Sequence, residues 1–323
     1  MRSGCQAAMA ENPYVFVCGC PRSGTTLLQR MLDSHPELAV LLETNVVPRG
    51  VLGKHPAPDL PLTSELVGKV VGFKWFDHLG VEEETVLGLA VGRSTFAEFV
   101  SALLDEAGRR RGKRLVGEKV PGYVRRMPSL HGLFPSARFI HIIRDGRDVA
   151  LSMLDWITPQ FWLGRLPLWN EEPVAVCALN WRREVSGGVR GRAKVGADKC
   201  LEVRYEDLIA APEPVMRSVA GFLGLPFDMA MLEFNRGMTR HDPMLSSKER
   251  WLPPTAGLRD WRGELSVRDQ QLFEILAGDV LTSVGYPLAV GWPAPLDVAA
   301  TAERCEQWWQ SEVDHRTCGQ SRL

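Results

Sequence analysis

Tyr14-Val-Phe-Val-Cys-Gly-Cys20-Pro-Arg-Ser-Gly-Thr-Thr26 is a short apolar run that gives way to a polar turn. Thr25–Ser34 follows with Leu27, Leu28, Met31 and Leu32 at the spacing of one helix face. The stretch predicts strand, loop, helix. Similar runs recur at Val70–Trp75, Leu115–Glu118, Arg138–Ile143 and Cys200–Arg204, between helical patterns such as Thr95–Arg109 and Pro173–Val189. Strands alternating with helices predict an α/β fold of three layers, a mainly parallel sheet covered on both faces. Ligands bind such sheets where strand ends enter loops. The chemistry is therefore expected just after Cys20, Val116 and Ile143.

Outward from this stretch, Pro48–Leu62 reads as an irregular proline-rich loop, and Asp155–Asn170 gathers Trp156, Phe161, Trp162 and Trp169. Residues 1–13 read as an N-terminal extension, 14–290 as one domain, and 291–323 as a tail with a helix around Trp308 and Trp309. A formal charge of -1 over 323 residues excludes a global basic field for gripping nucleic acid or an anionic membrane. Anion binding must be local. Cys5, Cys18, Cys20, Cys177, Cys200, Cys305 and Cys318 form neither a disulfide framework nor a C-x-x-C pair, which suits a reducing compartment. Cys18 and Cys20 suit packing better than metal binding. Met1–Asn12 lacks the apolar core of a signal peptide, and no run is apolar enough to span a bilayer, so a cytoplasmic protein without membrane association is expected.

The turn Pro21-Arg-Ser-Gly-Thr-Thr26 would aim backbone N–H groups, the positive end of a helix and two threonine hydroxyls at one spot, as a bound phosphate requires, with Arg22 adding a forked cation. It departs from the G-x-x-x-x-G-K-[ST] pattern by having one glycine and no following lysine, which weighs against an ordinary kinase or ATPase. A plain strand-to-helix turn needing Gly24 only for its backbone accounts for the loop about as well. In Arg138-Phe-Ile-His-Ile-Ile-Arg144-Asp-Gly-Arg-Asp-Val-Ala-Leu-Ser152, Arg144 ends a strand and Ser152 falls about two turns into the next helix. Both could meet a second phosphate; Arg147 and Asp148 could instead form a structural ion pair. His141, between isoleucines of a buried strand, reads as a packed histidine, and His78 as a loop histidine.

Taken together, Tyr14–Thr26 and Phe139–Ser152 resemble the two signatures of the superfamily of sulfotransferases that use 3′-phosphoadenosine 5′-phosphosulfate (PAPS). The likeness is nearest to the tyrosylprotein sulfotransferase branch and its bacterial relatives, through Pro21–Pro36 and Glu43-Thr-Asn-Val-Val-Pro-Arg49. The resemblance implies a P-loop-like cradle, with Arg22, Ser23, Gly24, Thr25 and Thr26 on the phosphosulfate and Arg144 and Ser152 on the 3′-phosphate. It implies Glu43 as general base. Lys119, in Glu118-Lys-Val-Pro121, becomes the group that stabilises the leaving phosphate, and Arg22 shares in catalysis. Tyr205, in Tyr-Glu-Asp-Leu208, would lie by the nucleotide, and Ser247, Lys248 and Arg250 in a segment closing over it.

Two departures stand out. Trp156 replaces a further family arginine, and the branch's membrane anchor and disulfides are not visible. The expected function is metal-independent in-line transfer to a hydroxyl-bearing acceptor: a phenol, an alcohol, a carbohydrate or a peptide tyrosine. The oligomeric state stays open, a homodimer included. The competing readings are a nucleotide-dependent phosphotransferase and a non-catalytic nucleotide-binding module.

Overall fold

The computed structural model describes residues 13–53, 56–157, 161–236, 259–289 and 295–314. Its centre is a five-stranded sheet of β1 (Val15–Gly19), β2 (Leu38–Leu42), β3 (Leu115–Lys119), β4 (Arg138–Ile143) and β5 (Cys200–Arg204), in the order β2-β3-β1-β4-β5. Every neighbouring pair is parallel. All five carboxyl ends therefore lie along one edge. The chain leaves β1 toward β2 on one side and leaves β4 toward β5 on the other, which makes the β1/β4 crevice the switch point where ligands settle in such sheets.

β1 shows why the apolar runs are continuous. Val15 and Val17 pack with Leu28, Met31 and Leu32 of α1 (Thr25–Asp33) and with Met216 and Val219 of a later helix, Pro212–Leu223. Tyr14, Phe16 and Cys18 face the opposite layer, against Phe99, Leu103 and Phe134. Each buried Val or Phe in the strand stabilises the fold by roughly 1.5–3 kcal/mol relative to exposure. The expectation of a parallel sheet covered on both faces is met.

Two strand assignments need correction. Val70–Trp75 is not a strand: Val70 and Val71 close a helix, α2 (Ser64–Val71), started by Thr63, whose side chain accepts from the Leu66 N–H, and ended at Gly72. Helix capping outweighs the β-branched pair. The missing edge strand is β2, on the segment that leads into Glu43. Pro48–Leu62 is less irregular than expected, holding one helical turn at Arg49–Leu52 and a bridge from Pro61 to Thr95. Thr95 also opens α3 (Phe96–Arg110) through a reciprocal cap with Glu98.

The longer helices that follow β4 are α4 (Gly146–Leu154), α5 (Pro173–Val195), α6 (Pro212–Leu223), α7 (Val267–Ser283) and α8 (Leu296–Trp309). α4, α5, α7 and α8 share one apolar cluster, in which Cys305 and Trp309 of α8 are buried. His141 is fully buried, as a packed histidine should be, and presses on Gly188 of α5, where a Cβ would lie 2.3 Å from its Cε1. No helix among the described residues is long and apolar enough to cross a membrane. Cys18, Cys20, Cys177, Cys200 and Cys305 are buried free thiols, held well above the ordinary thiol range by desolvation in the cases of Cys18 and Cys20.

Candidate active site

The loop between β1 and α1 is shaped by backbone geometry that few residues adopt. Arg22 has φ 74° and Gly24 φ 91°, and the Ser23 N–H closes a turn onto the Cys20 carbonyl at 3.1 Å. Gly24 is required twice over, because a Cβ there would also sit 2.4 Å from Cδ2 of Tyr205. Gly24 is the N-cap of α1, no side chain caps that end, and its first turn carries no acid. The leading N–H groups and the positive helix end thus have no anionic partner. The Ser23 hydroxyl is buried and makes no hydrogen bond among the described residues. A cradle of free N–H groups with an orphaned hydroxyl fits an anion.

A second cationic group adjoins it. Arg144, 8% exposed, follows β4; its guanidinium lies 4.4 Å from the centre of the Tyr205 ring, and its Nη1 donates to the Arg22 carbonyl at 3.4 Å. Its Nε is buried without a partner among the described residues. Ser152 stands two turns into α4, and its Oγ accepts from Nε of Arg22 at 3.0 Å. The Arg22 guanidinium also lies 5.3 Å from the centre of the Trp156 ring. Burial and the neighbouring Arg144 lower its pKa. Among the described residues no carboxylate pairs with Arg22, and Arg144 has only Asp148, at 3.9 Å. Two guanidinium groups held this close, largely without acids, are suited to a second anion.

On the other side of the loop, Lys119 ends β3 and is 1% exposed. Its Nζ contacts Thr26 Oγ1 at 3.2 Å and pairs with the Glu43 carboxylate. The β2–β3 register sets Leu42 beside Lys119, and the Glu43 N–H continues the ladder to the Lys119 carbonyl at 3.0 Å. Loop, ammonium and carboxylate are one contiguous group.

These contacts gather Arg22, Ser23, Gly24, Thr25, Thr26, Glu43, Lys119, Arg144, Ser152 and Tyr205 at the carboxyl edge of the sheet. Arg22 turns to Ser152 and Trp156. Ser247, Lys248 and Arg250 lie outside the described residues. The structural ion pair weighed for Arg147 and Asp148 does not form: Arg147 binds Asp145 at 2.8 Å and Glu274 instead. Asp148 instead accepts from the Trp261 N–H at 3.1 Å, and burial pushes its carboxyl up to about 6. Near the site, Val46, Val47 and Leu52 are core residues, whereas Trp156 and Phe161 are half-buried with ring centres 4.7 Å apart.

Two participants escape a reading of single motifs. His78 donates from Nδ1 to the Leu42 carbonyl at 2.8 Å while stacked on Trp75, which ties that loop to the root of Glu43. Glu118 is fully buried behind Lys119. Strand alternation, which sends neighbouring side chains to opposite faces, was the available signal for Glu118; the sequence reads His78 only as a loop histidine.

Two candidate anion cradles at the switch point of a parallel sheet, with a carboxylate–ammonium pair beside one of them, are the layout of an α/β transferase. Residues 13–229 match the Sulfotransferase family, and the chain belongs to that family. It is similar to protein-tyrosine sulfotransferase A of Caenorhabditis elegans, 29% identical over 74% of this chain and 57% of the relative. Protein-tyrosine sulfotransferase 1 of Danio rerio is 28% identical over 88% of this chain and 77% of the relative. The chain thus spans little more than half of the nematode protein's length. Among solved structures, the sulfotransferase domain of the Synechococcus PCC 7002 olefin synthase shares the fold, with TM-score 0.56 and 23% identity over 91% of this chain and 94% of that one.

Proposed function

We propose that this protein transfers a sulfuryl group from PAPS to a hydroxyl-bearing acceptor, with Glu43 as general base. The observation that carries the reading is the position of Lys119, whose ammonium touches both Thr26 of the anion cradle and the Glu43 carboxylate. PAPS as co-substrate supplies an activated sulfuryl group on a leaving phosphate. The N–H groups at the start of α1 and the Ser23–Thr26 hydroxyls hold the phosphosulfate. Arg144, Ser152 and Arg22 hold the 3′-phosphate. Glu43 takes the proton from the acceptor hydroxyl as the new oxygen–sulfur bond forms. Lys119 offsets the charge that builds on the bridging oxygen as its bond to sulfur breaks, leaving the adenosine bisphosphate product.

Fixed cations and a helix end supply this stabilisation, so the reaction is metal-independent in the proposal. Phe161, packed edge-to-face on Trp156, offers aromatic surface for a phenolic or other apolar acceptor. The five buried free thiols support a reducing compartment such as the cytoplasm. The test is incubation with sulfur-labelled PAPS and a panel of phenols, alcohols, sugars and tyrosine peptides, with chelator present. Labelled product from the wild type but not from Glu43→Gln is the expected result. Tighter calorimetric binding of ATP than of the adenosine bisphosphate product would overturn the proposal.

A further inference from the structure

Glu43 heads a turn that the chain does not adopt readily. Glu43 and Asn45 both have positive φ, 52° and 49°, where non-glycine residues are uncommon. Such geometry persists only when the surroundings hold it. The surroundings here converge on one buried carboxylate. Thr44 Oγ1 donates to Glu118 Oε1 at 2.7 Å, and the Asn45 N–H donates to the same oxygen. Glu118 Oε2 accepts from the Tyr123 hydroxyl at 3.1 Å, and that hydroxyl lies 3.2 Å from the Val47 carbonyl. The Asn45 amide closes the turn onto the Glu43 carbonyl at 3.0 Å.

We infer that Glu118 is a positioning residue: its side chain holds Thr44 and Asn45, fixing the left-handed turn that aims Glu43 at the reacting hydroxyl. The inference rests on the reading of Glu43 as base. Neighbouring side chains of β3 divide the work, with Lys119 on the site and Glu118 behind the turn. Thr44, Asn45 and Glu118 are each buried, so the hold is shielded from competing water.

The test compares E118Q, E118L and T44V in steady-state transfer, with product-nucleotide affinity measured by calorimetry and folding by circular dichroism. E118Q keeps an oxygen for Thr44 and Asn45 and can donate to the Tyr123 hydroxyl, so its kcat stays within about threefold of wild type. E118L removes both acceptors; a displaced base lowers kcat by about 100-fold with affinity for the adenosine bisphosphate unchanged. T44V, which removes one donor of the pair, lowers kcat by roughly tenfold. A folded E118L with wild-type kcat, an equal loss in E118Q, or a parallel loss of nucleotide affinity overturns the inference. Should E118L not fold, T44V decides: unchanged kcat overturns the inference, and a selective kcat loss supports it. Full activity in Glu43→Gln sinks the reading of Glu43 itself, whereas a dead Glu43→Gln beside an active E118L sinks only the role of Glu118.

Discussion

Arg22 and Ser152, 130 residues apart in sequence, meet through an Nε–Oγ hydrogen bond of 3.0 Å, so the loop cation points at the α4 serine. The β1–β4 pairing brings their elements together, and the Trp156 ring flanks the guanidinium. Where the resemblance called for an additional arginine, this chain has an aromatic ring beside an arginine from the loop.

Arg22→Ala is therefore expected to weaken binding of the 3′,5′-bisphosphate product by about 10–100-fold, the worth of a charge-assisted hydrogen bond. Binding of adenosine 5′-monophosphate, which lacks the 3′-phosphate, should change far less. Trp156→Ala should cost roughly two- to fivefold through lost cation–π contact. Calorimetry with both nucleotides reads the difference; equal losses for the two would place Arg22 elsewhere.

Glu43→Gln should lower kcat by about 10²–10⁴ while leaving nucleotide affinity intact, as loss of a general base does. Lys119→Met should cost about 10²–10³ in kcat by removing charge stabilisation. Because the two side chains touch, the double variant should lose less than the product of the single losses. Strict multiplicativity in single-turnover rates would show that they act separately.

Gly24→Ala asks for two accommodations at once, a side chain at φ 91° and a Tyr205 ring moved from 2.4 Å. The left-handed conformation alone costs an L-residue about 1–2 kcal/mol. The variant should melt lower, and its nucleotide affinity should fall with the displaced cradle. Wild-type affinity in Gly24→Ala would mean that the loop tolerates a different shape.

Stability should fall with rising pH in one window because of Glu118. Burial pushes its carboxyl up to about 7, against hydrogen bonds from Thr44, Tyr123 and the Asn45 and Val46 backbone, from an ordinary value of 4.5. Between these values the folded state keeps a proton that the unfolded chain has released, so raising the pH through the window favours unfolding. The loss is of order 3 kcal/mol, complete above pH of about 7. Thermal melts of wild type against E118Q across this range test it, since the variant should lack that slope.

The parts of the fold that could be read from sequence were those where packing follows a simple rule. β1 and β4 are buried on both faces, so their runs are apolar but for His141, itself packed in the core, and Thr95 marks α3 by its cap. β2 escaped because Leu38-Ala-Val-Leu-Leu42 is built largely of good helix formers and becomes a strand only by pairing with β3. Val70–Trp75 misled in the reverse sense, since its two valines are held by a helix capped upstream at Thr63. At the site, residue types came from motifs, whereas the pairing of Glu43 with Lys119 depends on strand register and that of Arg22 with Ser152 on sheet order. Neither follows from local sequence.

Tyr205 begins where β5 ends, with one edge of its ring against Gly24 and a face against the Arg144 guanidinium. The ring is a rigid shim between the protein's two anion-holding regions. If the two regions hold the two ends of the nucleotide as proposed, the ring makes the span between negative groups, as well as their total charge, a basis for discriminating among nucleotides. A longer or shorter ligand would meet an aromatic ring packed between a glycine and an arginine.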